Sequence, residues 1–572
     1  MTTAPPPIAE RRRVLEAGRT SWEPTTLGRF LATRAERYGD RPFVLADDRT
    51  LTYRDVDQWA TELADGLAAL GVRPGDRVGI IMANHPELVP LKFAVARAGA
   101  IAVPFNYLYK ANELAWVLRQ STCSVLVTMC SFGDLDHLGM LDEIAPGWET
   151  AGGGTALPEL RRVVQFPAGG PARAGVLTLD GLRELGRAEP GGADDSSRGP
   201  GDDSDIVYTS GTTGSPKGVV LTHDAPIRTA YASAHHRAFE DGRRMLFSLP
   251  CYHMFGYIEG LLAVMHVGGA VALRLTFDPA DHLAAIERHR ATDLLAVPTI
   301  TVALLEHPDR FTRDLSSLFA ILSAAAPAPP WVWERARDDL GLTEVSTGYG
   351  MTETSASMTF TLPDDPIERQ TQTVGCPKFG GVAGVAEWGG RECLYRTADP
   401  VTGELLPEGE VGELVSRGPT QMSRYWDQPE ETARTMRDGW LYSGDLGYVD
   451  DDGYLRLTGR RKELYKSGGE LVMPKEIEEL VGALPGVSQV YAIGLPDERW
   501  GEAGCLWIVP EPGAELDEGE ILQVCRDNLA QFKVPKRVIF STAAELPTTP
   551  TGKVQKFLLV GQALERVAAA TG

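Results

Sequence analysis

Short apolar strands alternating with amphipathic helices limit the architectures open to this chain. Residues 55–70 place apolar side chains at helical spacing and stop near Gly71, after which Gly75-Asp76-Arg77 turns the chain into a strand at 78–82. Residues 91–99 repeat the helix and 100–105 repeat the strand. Helices interleaved with β-branched strands cover the faces of a sheet whose strands run mostly parallel, so the spacing predicts an α/β fold. Between 131 and 205 the pattern gives way to Gly152-Gly153-Gly154, Gly169-Gly170 and the stretch 189–205, rich in Gly, Pro, Asp and Ser. These segments read as loops, the last of them mobile, around a single strand at 163–166. The alternation resumes at Ile206 and continues to about Gly459. Beyond Glu463 a smaller α+β unit is expected, with a helix at 475–484, a strand at 487–493 and a helix at 518–530. The predicted division is a tail at 1–26, a large domain at 27–460 and a small domain at 461–572.

A chain of 572 residues, 43% apolar and 23% charged, can bury roughly three to four cores. Its net charge of -22 argues against broad nucleic-acid binding, which needs a basic surface, but leaves room for a local basic pocket. The seven cysteines are scattered without a CxxC pair, so neither a zinc framework nor a disulfide scaffold is expected. Arg11-Arg12-Arg13 has no apolar stretch behind it, which is not the pattern of a secretory signal. The apolar run at 260–275 is broken by His266, Gly268-Gly269 and Arg274, so no stable membrane insertion is expected. A cytoplasmic protein is the default these features imply.

One segment carries a clear chemical character. Tyr208-Thr209-Ser210-Gly211-Thr212-Thr213-Gly214-Ser215-Pro216-Lys217-Gly218 directly follows the strand residues Ile206-Val207. Glycines let backbone N–H groups approach an anion, hydroxyls donate further hydrogen bonds, and Lys217 adds a positive charge. Read as a strand-to-helix turn, the segment suits a phosphate. It is not a Walker A loop, because Lys217 follows proline where that motif requires glycine.

Four further strings follow in order: Gly348-Tyr349-Gly350-Met351-Thr352-Glu353, Tyr442-Ser443-Gly444-Asp445, Gly459-Arg460-Arg461-Lys462-Glu463 and Pro550-Thr551-Gly552-Lys553. Together the five segments resemble the signatures of the ANL superfamily, which holds acyl-CoA synthetases, nonribosomal adenylation domains and firefly-type luciferases. The likeness runs from Leu27 over nearly the whole chain. It implies a large domain of several α/β subdomains that binds ATP and an acid, and a small mobile C-terminal domain that carries a catalytic lysine. The reaction it implies joins a carboxylic acid to ATP as acyl-AMP with release of pyrophosphate, then transfers the acyl group to coenzyme A.

The resemblance also implies roles for individual residues. Thr209, Ser210, Gly211, Thr212, Thr213, Gly214 and Lys217 would hold the β- and γ-phosphates. Glu353 would hold Mg²⁺, Thr352 would bond the α-phosphate, and Tyr349, with Gly350 and Ala325 nearby, would lie against the adenine. Asp445 would accept bonds from both ribose hydroxyls, reinforced by Arg460. Lys462 falls at the hinge, and Lys553 would enter between the carboxylate and the α-phosphate. Lys466, Gly468 and Gly469 match the loop facing the thiol channel. His253 would gate the acyl pocket beside Gly348. Apart from the resemblance, Glu259, beyond His253 on the same helix, has two readings: a helix glutamate that is solvated or paired within the protein, which is favoured, or a residue lining that pocket whose buried carboxylate takes an amine or hydroxyl of the substrate as its partner.

The match loosens at Ser323-Ala324-Ala325-Ala326-Pro327, where many relatives carry two glycines, and at Thr347, where an amide is frequent. Other outcomes stay open at this stage. The thiol could belong to a carrier protein rather than coenzyme A, another nucleophile could take the acyl group, and a luciferase-like oxygenation or a non-catalytic nucleotide-binding role are further alternatives. A monomer or a homodimer is expected.

Overall fold

The computed structural model of the chain describes residues 5–17, 19–209, 216–324, 328–467, 470–497, 500–548 and 554–571. The chain divides into two compact units, one formed by Met1–Leu394 with Arg417–Gly439 and the other by Tyr395–Ser416 with Trp440–Gly572.

The larger unit is built on two seven-stranded sheets. In the first, Ile101–Pro104, Arg77–Ile81, Val125–Met129 and Arg162–Phe166 run parallel, with Asp203–Thr209 parallel beside Ile101–Pro104. Lys217–Thr222 and Arg424–Tyr425 complete the edge in antiparallel sense. The second sheet places Glu344–Ser346, Ala320–Ser323, Asp293–Ala296, Arg244–Phe247, Ala270–Leu273 and Pro42–Leu45 side by side and parallel, and closes with an antiparallel Thr50–Thr52. Strands such as Val125–Met129 and Ala270–Leu273 are buried at every position, as expected where helices cover both faces. The helix Tyr53–Ala69 starts from a reciprocal cap: the Thr52 hydroxyl accepts from Asp55 N–H (3.1 Å), while the Asp55 carboxylate accepts from Thr52 N–H (2.8 Å). A three-stranded antiparallel sheet, Gly348–Met351, Ala356–Phe360 and Cys376–Pro377, stands apart from both.

The smaller unit holds the antiparallel strands Gly412–Arg417, Trp440–Val449 and Leu455–Arg460. Its C-terminal part is a second sheet in which Val487–Asp497 and Gly501–Pro510 pair antiparallel and Arg537–Phe540 adds parallel to the latter. The helices Pro474–Gly482 and Glu518–Asn528 contribute Ile477, Val481, Ile521 and Cys525 to a core with Leu506 and Ile508. Trp507, on the alternate face of the same strand, packs with Leu559 and Ala563 of the helix Lys556–Thr571. This is the α+β arrangement expected from the sequence.

Two stretches carry more structure than their composition suggests. Within 131–205 the helices His137–Ile144 and Leu179–Ala188 form, the latter packed on Tyr53–Ala69 with Arg183 paired to Glu62. The stretch expected to be mobile is tied down: Ala193 N–H donates to Asp65 (3.0 Å), and Arg198 Nε donates to the Gly99 carbonyl (3.0 Å). Ahead of Leu27, residues Ile8–Glu16 form a helix whose buried Arg11 bonds the Ala238 carbonyl (2.7 Å) and pairs with Glu344. Among the described residues no helix is long and apolar enough to cross a membrane.

Candidate functional site

The segment expected as a strand-to-helix turn lies between two strands instead. Asp203–Thr209 and Lys217–Thr222 are antiparallel neighbours with Thr209 opposite Lys217, and the helix Asp224–His236 begins only afterwards. The β-branched run at Val219-Val220 keeps the chain extended and postpones the helix. A phosphate here would therefore meet Lys217 at the start of a strand rather than a helix terminus. Ser210, Gly211, Thr212, Thr213 and Gly214 lie outside the described residues, as does Ala325.

Around Lys217 the unit assembles charged and hydroxyl groups from three elements. The Lys217 ammonium pairs with Glu431, from the first turn of the helix Pro429–Thr435, and lies 5.0 Å from the centre of the Tyr425 ring. The Tyr425 hydroxyl donates to Glu353 Oε1 at 2.7 Å. Burial, then the neighbouring Glu353 charge, raises the pKa of this hydroxyl, so it stays a donor. Thr352 and Glu353 are themselves buried, in a 3-10 turn between the strands Gly348–Met351 and Ala356–Phe360. That turn is held tightly: Ser355 and Ala356 adopt φ of 57° and 74°, values unusual for residues with side chains. Met422 N–H donates to the Glu353 carbonyl (2.7 Å), and the Ser355 hydroxyl donates to the Thr420 carbonyl (2.8 Å). Gly350 is required here, since a Cβ would fall 2.0 Å from the Ala356 carbonyl oxygen. Tyr349 and Gly348 occupy the same strand, paired with Thr359 and Phe360.

Among the described residues no group of three or more His, Cys, Asp or Glu side chains could form a metal cage. A single buried carboxylate braced by a hydroxyl fits a hard cation that arrives with its phosphates and keeps several waters.

His253 precedes a π-helical stretch, Phe255–Leu262, that carries Glu259. His253 Nδ1 accepts from Phe255 N–H (3.2 Å), which leaves the proton on Nε2, and burial lowers its pKa to about 4. The imidazole is neutral across the ordinary range. Glu259 is fully buried, but its partners come from the protein. Its Oε1 accepts from Ser357 N–H (3.1 Å) and lies 3.8 Å from the Lys378 ammonium, which also pairs with buried Glu392 (3.0 Å) and donates to Ser233 Oγ (3.0 Å). Of the two readings of Glu259, these contacts agree with pairing inside the protein and leave no need for a substrate amine or hydroxyl: Lys378 supplies the opposite charge. Burial raises the Glu259 pKa, with Lys378 opposing.

In the smaller unit, Asp445 and Arg460 stand opposite each other on paired strands, with Nε 3.1 Å from Asp445 Oδ1. Asp445 follows Gly444, whose φ of 76° turns the backbone so that Gly444 N–H reaches Glu413 Oε1 (2.9 Å). Glu413 also takes Arg461 (2.9 Å). The backbone of Lys462 lies in the 3-10 turn Arg461–Glu463 and that of Lys466 in the strand Tyr465–Ser467; their side chains, with Gly468, Gly469 and Lys553, fall outside the described residues. On either side of the stretch holding Lys553, Thr548 and Val554 form a β-bridge. Lys556 is half-buried and pairs with Glu463 (2.7 Å) and Glu478 (2.6 Å).

Sequence reasoning missed Tyr425, Glu431, Lys378 and Glu392. Tyr425, Glu431 and Lys378 act through contacts with residues far away in the chain, Glu392 acts through Lys378, and no local spacing marks any of them.

A model of the AMP-binding enzyme family matches residues 31–426, and one of the AMP-binding enzyme C-terminal domain matches residues 476–553. The chain is 32% identical to a putative acyl-CoA synthetase, YngI, of Bacillus subtilis (strain 168), over 95% of this chain and 97% of that protein. It is 35% identical to a feruloyl-CoA synthase of Amycolatopsis sp, over 93% and 97% respectively. Among solved structures, the anthranilate CoA ligase AuaEII in complex with anthranoyl-AMP superposes with a TM-score of 0.80 at 26% identity, covering 96% of this chain and 99% of the other.

Proposed function

Because the chain belongs to the AMP-binding enzyme family, within the ANL superfamily of adenylate-forming enzymes, we propose that it is an AMP-forming acyl-CoA synthetase. It activates a carboxylic acid with ATP as acyl-AMP, releases pyrophosphate, and transfers the acyl group to the thiol of coenzyme A. The observation that carries this reading is the match of both family models, in order and over most of the chain.

The reactants are both anions, so the protein's task is to position them and offset their charge. In this reading Lys217 takes the terminal phosphates, Tyr349 lies against the adenine, Thr352 bonds the α-phosphate, and Asp445 with Arg460 takes the ribose. Glu353 would hold Mg²⁺, which supplies charge neutralisation on the phosphates. Lys553 bridges the acid and the α-phosphate during adenylation, and Lys462, Lys466, Gly468 and Gly469 serve the second half-reaction. Neutral His253 guards the acyl pocket without adding charge to it. The buried, free cysteines support a reducing cytoplasmic setting.

A panel of carboxylic acids scored by acid-dependent ATP–pyrophosphate exchange, repeated with coenzyme A and product mass measurement, tests the whole reading. Lys553→Ala should lose exchange by at least about a hundredfold yet transfer the acyl group from supplied acyl-AMP. Exchange at the wild-type rate in that variant would sink the role given to Lys553. Failure of coenzyme A alongside transfer to a holo carrier protein would redirect the second step.

A further inference from the structure

The side chain that Lys217 holds is an anion, and it comes from a segment more than two hundred residues away. Glu431 sits in the first turn of the helix Pro429–Thr435, and its second oxygen lies 3.2 Å from Arg434. The helix is fixed to the sheet edge that carries Lys217: Val219 pairs with Tyr425, and Tyr425 N–H donates to Thr432 Oγ1 (2.9 Å). Lys217 and Glu431 are 14% and 21% exposed, so neither is fully solvated. An ammonium in such a place needs an anion, and Glu431 provides it. A polyphosphate approaching Lys217 has to compete for the same ammonium.

We propose that Glu431 is the resident anion of Lys217, released when the terminal phosphates of ATP bind and recaptured when pyrophosphate leaves. Glu431 is then a positioning residue that sets nucleotide affinity through Lys217. It keeps the ammonium aimed while the site is free of nucleotide, and it weakens ATP binding by competition. The same competition eases the departure of pyrophosphate, whose charge would otherwise hold it on Lys217. The proposal rests on the adenylation reading above.

Calorimetric titration with MgATP, without acid or coenzyme A, isolates binding from turnover. Glu431→Gln is expected to tighten ATP binding about fivefold, the range of a partly exposed ion pair, and Glu431→Asp to restore the native value. Lys217→Ala should weaken binding, and adding Glu431→Gln to it should change nothing further, since the competitor then has no ammonium to hold. Melting curves check that each variant folds, with Glu431→Ala as the replacement should the amide variant not fold. Unchanged or weaker binding in Glu431→Gln, or equal tightening with Lys217 absent, would overturn the proposal. Absence of ATP binding by the unaltered chain would instead sink the nucleotide reading itself.

Discussion

At Glu353 a carboxylate withdrawn from water recovers one of its lost hydrogen bonds from the Tyr425 hydroxyl, at 2.7 Å. The bond restrains the carboxylate that would hold a hard cation. Tyr425→Phe deletes the hydroxyl and keeps the ring beside Lys217. Its expected effect is at least about a tenfold rise in the Mg²⁺ concentration giving half-maximal pyrophosphate exchange, the cost of one hydrogen bond to a charged group. Glu353→Gln should lose exchange by roughly a hundredfold or more, because the charge itself is removed. A Tyr425→Phe protein with the native Mg²⁺ dependence would show that the hydroxyl only fills space. Residues of this kind divide sharply in legibility. Glu353 and Asp445 stand in short strings whose neighbours announce them, whereas Tyr425 and Glu431 lie in an ordinary strand and helix and gain meaning only from tertiary contact.

The π-helical stretch Phe255–Leu262 shows the same division for a whole element. Pairing of Glu259 inside the protein was among the readings its sequence favoured, but the identity of the partner was not legible, because the balancing charge enters from Lys378, 119 positions later in the chain. Similarly, apolar spacing marks a helix at 55–70 from local chemistry, close to the observed Tyr53–Ala69, while its Thr52–Asp55 cap emerges only in the structure. The helix Leu179–Ala188 escaped notice because the glycine- and proline-rich loops around it dominate the composition there. The antiparallel placing of Lys217–Thr222 escaped because a β-branched run after a polar loop is compatible with either a second strand or a delayed helix. At the π-helix the packing yields an ordering of variants. Lys378→Met strands two carboxylates in the core and should cost about 3–5 kcal/mol of stability. Glu259→Gln can still accept from Ser357 N–H and leaves Lys378 with Glu392, so its cost should stay near 1 kcal/mol. Urea melts of the two variants measure the order. The acid panel should keep its native ranking in Glu259→Gln; a changed ranking would return Glu259 to the substrate side of the wall.

Across the molecule the titratable groups are unevenly shared between the two units, and this has a consequence for stability. All ten histidines belong to the larger unit; residues 395–416 and 440–572 contain none. Nine of them have pKa values lowered by burial, His223, His253 and His282 to about 4. A histidine held neutral in the fold takes up a proton on unfolding wherever the pH lies below its ordinary value of about 6.5. Stability from these groups is therefore complete above that pH and falls as the pH drops toward the folded pKa, each fully shifted imidazole contributing up to about 1.4 kcal/mol per pH unit. Half-buried Asp224 and buried Glu259 act in the opposite sense, because their pKa values are raised, but they are few beside nine histidines. Between pH 7.5 and 5.5, above the range where ordinary carboxylates titrate, the melting transition of the larger unit should move down by several degrees while the smaller unit's stays nearly still. Scanning calorimetry at three pH values, with unit-specific limited proteolysis to assign the transitions, separates the two. A larger-unit transition that holds its temperature down to pH 5.5 would mean that the imidazoles are protonated within the fold, and would withdraw the neutral state assigned to His253.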